Sequence, residues 1–122
     1  MPTPDAMSTS VEHRGDIAVL TVSGVVDLAT APALEEVTDQ LVGQKPSALV
    51  IDVREVTFLA SVGLKILAAT HRDLAPTGCF AVVADGPATS RPIKLTHLDE
   101  VFPLYATLDD GLAAVRNELS NR

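Results

Sequence analysis

Aromatic residues are scarce in this chain of 122 residues: there is no tryptophan, and phenylalanine and tyrosine together make up 3% of it. Proteins that bind single-stranded nucleic acid stack the bases on aromatic side chains, so this scarcity argues against that class of ligand. Basic residues are also outnumbered, nine against 16 acidic ones, which gives a formal net charge of −7. Because so acidic a chain repels a phosphate backbone, we expect no nucleic-acid partner.

Cysteine and long apolar runs are equally rare. A single cysteine, Cys79, excludes a disulfide within the chain and favours a reducing compartment. No apolar run approaches the roughly 18 residues of a membrane-spanning helix, and the N-terminus lacks the basic start and apolar core of a signal peptide. We therefore expect a cytoplasmic protein without a membrane partner. Hydrophobic residues nevertheless make up 47% of the chain, enough for one domain with an aliphatic core.

The chain also lacks the motifs of catalysis and cofactor binding. Gly63 stands two positions after Ser61, but Leu59 stands where a nucleophile elbow needs a second glycine. No glycine-rich phosphate loop is present, and one cysteine with three scattered histidines gives no metal-ligand spacing. We therefore expect no catalytic residue, no metal and no cofactor.

The stretch from Ala48 to Leu74 organises the rest of the chain. It opens with an apolar run closed by Asp52 and Val53, which predicts a strand buried on both faces. It ends in a segment of helical period from Leu64 to Leu74. Ser61 lies just before that segment, and its hydroxyl can accept a bond from a free backbone N–H, so we predict that Ser61 is the N-cap. Partners of open α/β sheets are usually met at this edge.

The flanking segments predict an α/β fold. Residues 1–10 are rich in Pro, Ser and Thr and are predicted to be a flexible tail, so the domain is expected to span residues 11–120. Two strands around a Gly15-Asp16 turn predict an N-terminal hairpin. Thr30 before Pro32, and Asp109 and Asp110 before an apolar stripe, mark helix starts. Alternating strands and helices then predict a mixed sheet of four or five strands with about four helices packed on it.

Around Ser61 the helical pattern leaves two interpretations open. Ser61, Lys65 and Arg72 fall on one polar stripe, and Val62 and Ala69 flank it away from the leucine face. This arrangement suits a docking patch and is also consistent with an ordinary amphipathic helix. Glycine costs about 0.5–1 kcal/mol relative to alanine within a helix, so Gly63 predicts that a partner backbone or a phosphate comes close. Asp52 is interpreted as a polar strand end and Cys79 as a small buried side chain.

Three motifs resemble one family in order, spacing and length. They are Val22-Ser23-Gly24-Val25-Val26-Asp27, Val50-Ile51-Asp52-Val53 and Phe58-Leu59-Ala60-Ser61-Val62-Gly63-Leu64. The chain from about Val11 to Leu119 resembles the STAS domain family, specifically the stand-alone bacterial anti-sigma factor antagonists. That family usually reads Gly-x-x-Asp at the first motif and Asp-Ser-x-Gly-Leu at the last. The resemblance implies a single STAS-like domain.

The resemblance also implies a regulated interaction. In such proteins a partner anti-sigma factor with serine kinase activity phosphorylates the serine at the helix start. The unphosphorylated form binds that partner and frees a sigma factor, and a serine phosphatase restores this form. By motif position Ser61 is the expected phosphoacceptor. The expected partner-binding residues are Asp27, Thr30, Ala60, Ser61, Val62, Gly63, Lys65 and Ala69.

Two residues depart from the family pattern, and other functions stay open. Ala60 stands where the family usually has Asp, and Val25 where an acidic residue is common, which bears on phosphorylation more than on fold or partner class. An alternative function is a STAS module that docks constitutively in a larger scaffold, with Ser61 only a helix cap. A small α/β enzyme would need a pocket of convergent polar groups, which the sequence does not show.

Overall fold

A computed structural model describes residues 6–122 as a five-stranded sheet with four α-helices. The strands are β1 (Ser8–Arg14), β2 (Ile17–Val26), β3 (Ala48–Leu59), β4 (Cys79–Val83) and β5 (Leu104–Tyr105). The helices are α1 (Ala31–Gly43), α2 (Ser61–Leu74), α3 (Ser90–Leu95) and α4 (Leu108–Ser120), and a 3₁₀ turn spans Leu98–Glu100.

The strands lie side by side in chain order, from β1 to β5. The β1–β2 hairpin is antiparallel, and β2, β3, β4 and β5 run parallel to one another. This mixed sheet with its N-terminal hairpin and four helices confirms the predicted fold class. Because β3 lies in the middle, the carboxyl ends of β2 and β4 flank the point where the chain passes from β3 into α2.

Helices cover both faces of the sheet, in unequal numbers. One core joins the sheet to the buried sides of α1, α2 and α3, through residues such as Leu34, Leu67 and Ile93. A smaller core lies on the opposite face under α4, built on Leu112 and Val115. The first six residues of β3 are all buried, as predicted for a strand covered on both sides. The leucines at 64, 67 and 74 form the buried side of α2, which confirms its predicted apolar face.

Several boundaries differ from the prediction. Strand β1 begins at Ser8, so the last residues assigned to the N-terminal tail pair with β2, while residues 1–5 lie outside the described part. The N-cap of α4 is Thr107 rather than either aspartate after it, and its hydroxyl accepts a bond from the Asp110 N–H at 3.1 Å. Pro92 lies inside α3, which has six residues, as expected for a helix limited by proline.

Strand β3 is the largest departure, because it continues to Leu59 instead of ending near Val53. The pairing with β2 shifts register twice, between Thr21 and Ser23 and again between Gly24 and Val25. Each shift inserts one extra residue on β3, as in a β-bulge. The polar residues Arg54 and Glu55 fall at the first shift, and such residues in sequence look like the end of a strand.

Candidate functional site

The expected site residues gather at the carboxyl ends of β2 and β3. Val26 and Leu59 end their strands as a pair, and the Ala60 N–H then donates to the Val26 carbonyl at 2.9 Å. The loop that follows Val26 and the first turn of α2 are therefore neighbours. This brings Asp27 beside Ser61, although 34 positions separate them in sequence.

The loop from Asp27 to Thr30 is fixed by its own side chains. Asp27 Oδ1 accepts bonds from the N–H groups of Ala29 at 2.9 Å and Thr30 at 3.1 Å. The Thr30 hydroxyl accepts from the Asp27 N–H at 2.9 Å and donates to the Val25 carbonyl at 2.9 Å. Thr30 precedes α1 as predicted, but its hydroxyl makes no capping bond to that helix. The two side chains therefore hold the loop in one conformation.

This fixed loop presents an apolar side chain that the sequence analysis missed. Leu28 is 81% exposed, the highest value among the large hydrophobic residues described. An apolar residue inside a turn closed by Asp and Thr is the signal that could have revealed it, because turn positions face solvent. The side chain of Leu28 stays mostly exposed to water unless another molecule covers it.

Phe58 is a second apolar side chain that the sequence analysis did not assign to the site. It is 55% exposed, whereas Val56 and Leu59 on either side of it are buried. Regular alternation would put Val56 and Phe58 on the same face of β3. The second register shift turns Phe58 outward instead. The sequence around Phe58 does not predict this shift, because the shift depends on how β2 pairs with β3.

Ser61 is the first residue of α2 and not its N-cap, so the predicted cap is wrong. The N-cap is Ala60, in an extended conformation and without a side-chain capping bond. Its carbonyl accepts from the N–H groups of Gly63 at 2.9 Å and Leu64 at 3.3 Å. The chain enters the helix directly from β3, which moves Ser61 one position into the first turn. Ser61 is exposed, and within residues 6–122 its hydroxyl has no hydrogen-bond partner.

Gly63 is buried, and packing within the domain explains it. A Cβ atom at this position would lie 2.6 Å from Leu59 Cδ1 and 2.8 Å from Val26 Cγ1. Real Cβ atoms essentially never come this close to another heavy atom, so the glycine lets α2 pack on the ends of β2 and β3. The expectation that Gly63 makes room for a partner is replaced by this internal contact.

The remaining predicted residues lie around Ser61 on α2 and the turn before it. Lys65 is exposed, and Ala60, Val62 and Ala69 are half-buried. Ser61 and Lys65 border an open cavity of about 240 Å³ between α2 and the chain after α3, where Thr96 and Leu98 form the far wall. The exposed polar side chains and half-buried small ones agree with the stripe predicted from the helical wheel.

Asp52 lies outside this site and has a structural partner. It is buried, and its carboxylate binds Arg54 in a bidentate pair, with 2.8 Å from Oδ2 to Nη2 and 3.0 Å from Oδ1 to Nε. The hydrogen bonds that Arg54 donates to the Asp52 carboxylate raise the pKa of Arg54. Arg54 lies in the first bulge of β3, and the pair gives the buried carboxylate of Asp52 a partner.

Cys79 is buried at the start of β4, as the sequence analysis expected. Burial raises the pKa of its thiol, which keeps it in the neutral, unreactive form. Within residues 6–122, no group of histidine, cysteine and acidic side chains is placed to hold a metal ion. Over the same residues, no helix combines the length and the apolarity needed to cross a membrane.

Comparison with known proteins agrees with this architecture over nearly the whole chain. The chain is 48% identical over 116 residues to the anti-sigma-F factor antagonist RsfB of Mycobacterium tuberculosis strain H37Rv, covering 95% of each protein. The crystal structure of an anti-sigma factor antagonist from Mycobacterium paratuberculosis superimposes with a TM-score of 0.90 at 55% identity, covering 95% of this chain and 99% of that one.

More distant structures share the fold at low identity. The Bacillus cell fate determinant SpoIIAA in its phosphorylated form has a TM-score of 0.68 at 15% identity, covering 88% of this chain and 99% of that one. The family model of the STAS domain matches residues 8–111, from the first strand into the last helix. The chain therefore belongs to the STAS domain family.

Proposed function

We propose that this protein is an anti-sigma factor antagonist: a binding protein, not an enzyme, that binds an anti-sigma factor and thereby releases a sigma factor. We further propose that the anti-sigma factor is a serine kinase whose phosphorylation of Ser61 ends the interaction, and that a serine phosphatase restores it. The protein would act in the cytoplasm. Two relatives that are 48% and 55% identical carry the name of this function.

The observation that carries the proposal is the placement of Ser61. Its hydroxyl is exposed and has no hydrogen-bond partner within residues 6–122, and it begins α2 next to the loop that presents the exposed side chain of Leu28. Interfaces derive most of their binding energy from a few apolar anchors that become buried. Because the Leu28 loop and the first turn of α2 are neighbours, a partner that covers Leu28 would also cover the hydroxyl of Ser61.

Phosphorylation at this position would act on binding rather than on folding. A phosphate adds roughly −1.5 to −2 charges, which the positive end of the α2 dipole and its free N–H groups tolerate. In a complex the same charge would have to leave water beside Leu28. Burying an unpaired charge costs several kcal/mol, and about 2.8 kcal/mol corresponds to a hundredfold loss of affinity.

The residues next to Ser61 do not supply a catalytic base for its phosphorylation. Ala60 cannot act as a base beside Ser61, and Asp27 Oδ1 already accepts two backbone bonds within its own loop. A kinase active site supplies its own catalytic aspartate, so neither feature prevents transfer to Ser61. Asp27 and Thr30 would support the interaction by holding Leu28 in place. Val62, Lys65 and Ala69 would contact the partner along α2.

The test is a calorimetric titration of purified anti-sigma-F factor with wild-type protein, Ser61→Glu and Ser61→Ala. We expect Ser61→Glu to bind at least tenfold more weakly with little change in Tm, and Ser61→Ala to bind like the wild type. Because the hydroxyl caps nothing, Ser61→Ala should lose no more than about 0.5 kcal/mol of stability. Ser120→Glu, at the far end of α4 on the other face of the sheet, is the matched charge control.

A second measurement separates the switch from constitutive docking. Incubation with the anti-sigma factor and ATP should add one phosphate to the wild type and none to Ser61→Ala, as read from intact mass. If Ser61→Glu and wild type bind with equal affinity, the protein docks constitutively and the proposed switch is wrong.

A further inference from the structure

A second groove lies beside the proposed site, between the end of β3 and helix α3. It is an open cavity of about 280 Å³. Phe58 and Leu95 border it, and they are 55% and 68% exposed. The chain has four aromatic residues, and both other phenylalanines are buried in the core. Phe58 is therefore the one phenylalanine whose ring contributes mostly to the surface, and exposed apolar clusters of this kind mark interaction sites.

Two prolines make the groove suitable for binding the side chains of a partner rather than a partner strand added to the sheet. Pro87 and Pro92 both line it, and neither has a backbone N–H to donate. Their rings also fix the local backbone, so little conformational entropy is lost when a ligand binds. The groove is therefore suited to apolar side chains, and it offers few main-chain donors for β-sheet pairing.

The charge at the rim of the groove is opposite to that of the whole chain. Arg91 lines it, and Lys94 joins Arg91 and Leu95 around an adjoining cavity of about 440 Å³ that contains one carboxylate, Asp85. Within residues 6–122 neither cation forms an ion pair. Two unpaired cations in a protein of net charge −7 complement an acidic surface on the partner.

The groove is continuous with the surface around Ser61. Leu95 borders the groove, and the next residue, Thr96, borders the cavity that Ser61 and Lys65 share. Phe58 precedes Ser61 by three residues, at the carboxyl end of β3 from which α2 begins. A partner that covers Ser61 can therefore reach the groove without leaving the surface of the domain.

We propose that the groove between β3 and α3 holds a second segment of the anti-sigma factor, one that carries apolar side chains flanked by Asp or Glu. This inference rests on the proposed function, because it assigns the groove to the same partner. The apolar side chains fill the space between Phe58 and Leu95, and the carboxylates face Arg91 and Lys94. The groove thereby adds affinity and selects partners with an acidic surface, whereas Ser61 switches the contact.

The test measures the binding of purified anti-sigma-F factor to full-length variants in the unphosphorylated state. Phe58→Ala and Leu95→Ala should each weaken binding about tenfold or more, as truncated anchors do. Val11→Ala, an exposed apolar residue on β1, is the matched control and should stay within twofold. Because these side chains are exposed, all three variants should keep the circular dichroism spectrum and Tm of the wild type.

Charge reversal tests the acidic character of the partner. Arg91→Glu should slow association about tenfold at low ionic strength, with a smaller difference at high salt. Arg116→Glu, an exposed residue on α4 at the other face of the sheet, should leave the rate unchanged. Equal association rates for Arg91→Glu and the wild type at low salt would overturn the acidic partner segment.

The outcomes separate this proposal from the proposed function. If Phe58→Ala and Leu95→Ala bind like the wild type while Ser61→Glu does not, the groove proposal is wrong and the switch stands. If the groove variants lose affinity and Ser61→Glu does not, the groove stands and the switch is wrong. If the wild type does not bind the anti-sigma factor, both are wrong. If the wild type alone is a dimer and Phe58→Ala is a monomer, a second copy occupies the groove, which also overturns the proposal.

Discussion

Replacing Gly63 with alanine tests how α2 is joined to the sheet. The new Cβ atom would lie 2.6 Å from Leu59 Cδ1 and 2.8 Å from Val26 Cγ1. Leu59 has rotatable side-chain bonds, but Val26 is fully buried and β-branched, with a restricted χ1 angle. The leucine can turn away and the valine cannot, so relief requires α2 to move away from the end of β2.

Two opposing effects set the magnitude. Overpacking a well-filled core costs about 1–3 kcal/mol, and alanine is better than glycine in a helix by up to about 1 kcal/mol. The net expectation is a loss of about 1–2 kcal/mol in the free energy of unfolding. For a domain of this size that corresponds to a decrease in Tm of about 5 °C.

The assay is thermal and denaturant unfolding of Gly63→Ala beside Gly43→Ala. A Cβ at Gly43, the last residue of α1, meets nothing within 4 Å, so this control should be neutral or slightly stabilising. The difference between the two variants isolates the contact with Val26 and Leu59 from helix propensity. A Tm for Gly63→Ala equal to or above that of the wild type would refute this account and return Gly63 to a role in partner approach.

Two further variants examine the loop and the buried thiol. Asp27→Ala removes the acceptor of the Ala29 and Thr30 N–H groups, so it should cost about 1 kcal/mol of stability and weaken binding of the anti-sigma factor. Asp27→Asn keeps an acceptor and should bind like the wild type. Equal affinity of Asp27→Ala and Asp27→Asn for the anti-sigma factor would show that the order of this loop is irrelevant to binding. Because burial raises the pKa of the Cys79 thiol, the native protein at pH 8 should react with iodoacetamide far more slowly than the denatured protein, as followed by intact mass, and equal rates would contradict the burial of this residue.

The position of Gly63 links stability to the proposed switch. Ser61 lies two residues before it on the same helical turn, so a displaced α2 would also displace the serine. A loss of partner affinity in Gly63→Ala would therefore accompany a loss of stability, whereas loss of affinity in Ser61→Glu should occur in a fully stable domain. Measuring Tm and affinity on the same samples separates the two causes.

The architecture could be predicted from the amino-acid sequence, because burial on one or both faces leaves a periodic pattern of apolar residues. The continuous apolar runs that begin at Ala48 and Cys79 indicated central strands, and the alternation with helices indicated that they run parallel. The leucines at 64, 67 and 74 predicted both the helix and its inward face. The turn at Gly15-Asp16 placed the hairpin, and the position of Ser61 after a buried strand placed it at the carboxyl edge of the sheet.

The details of the site depend on contacts between segments that are distant in sequence. Two register shifts against β2 prolong β3 and turn Phe58 outward, and they depend on partner residues that lie 31 to 33 positions earlier in the chain. The extended Ala60 moves Ser61 into the helix, which releases its hydroxyl from capping. Gly63 is explained by Val26 and Leu59, a contact made only once α2 lies on the sheet. The local sequence pattern indicates which residues are buried. The exposure of a residue at a bulge and the space around a glycine depend instead on neighbours that are distant in sequence, so they can be seen only in the folded chain.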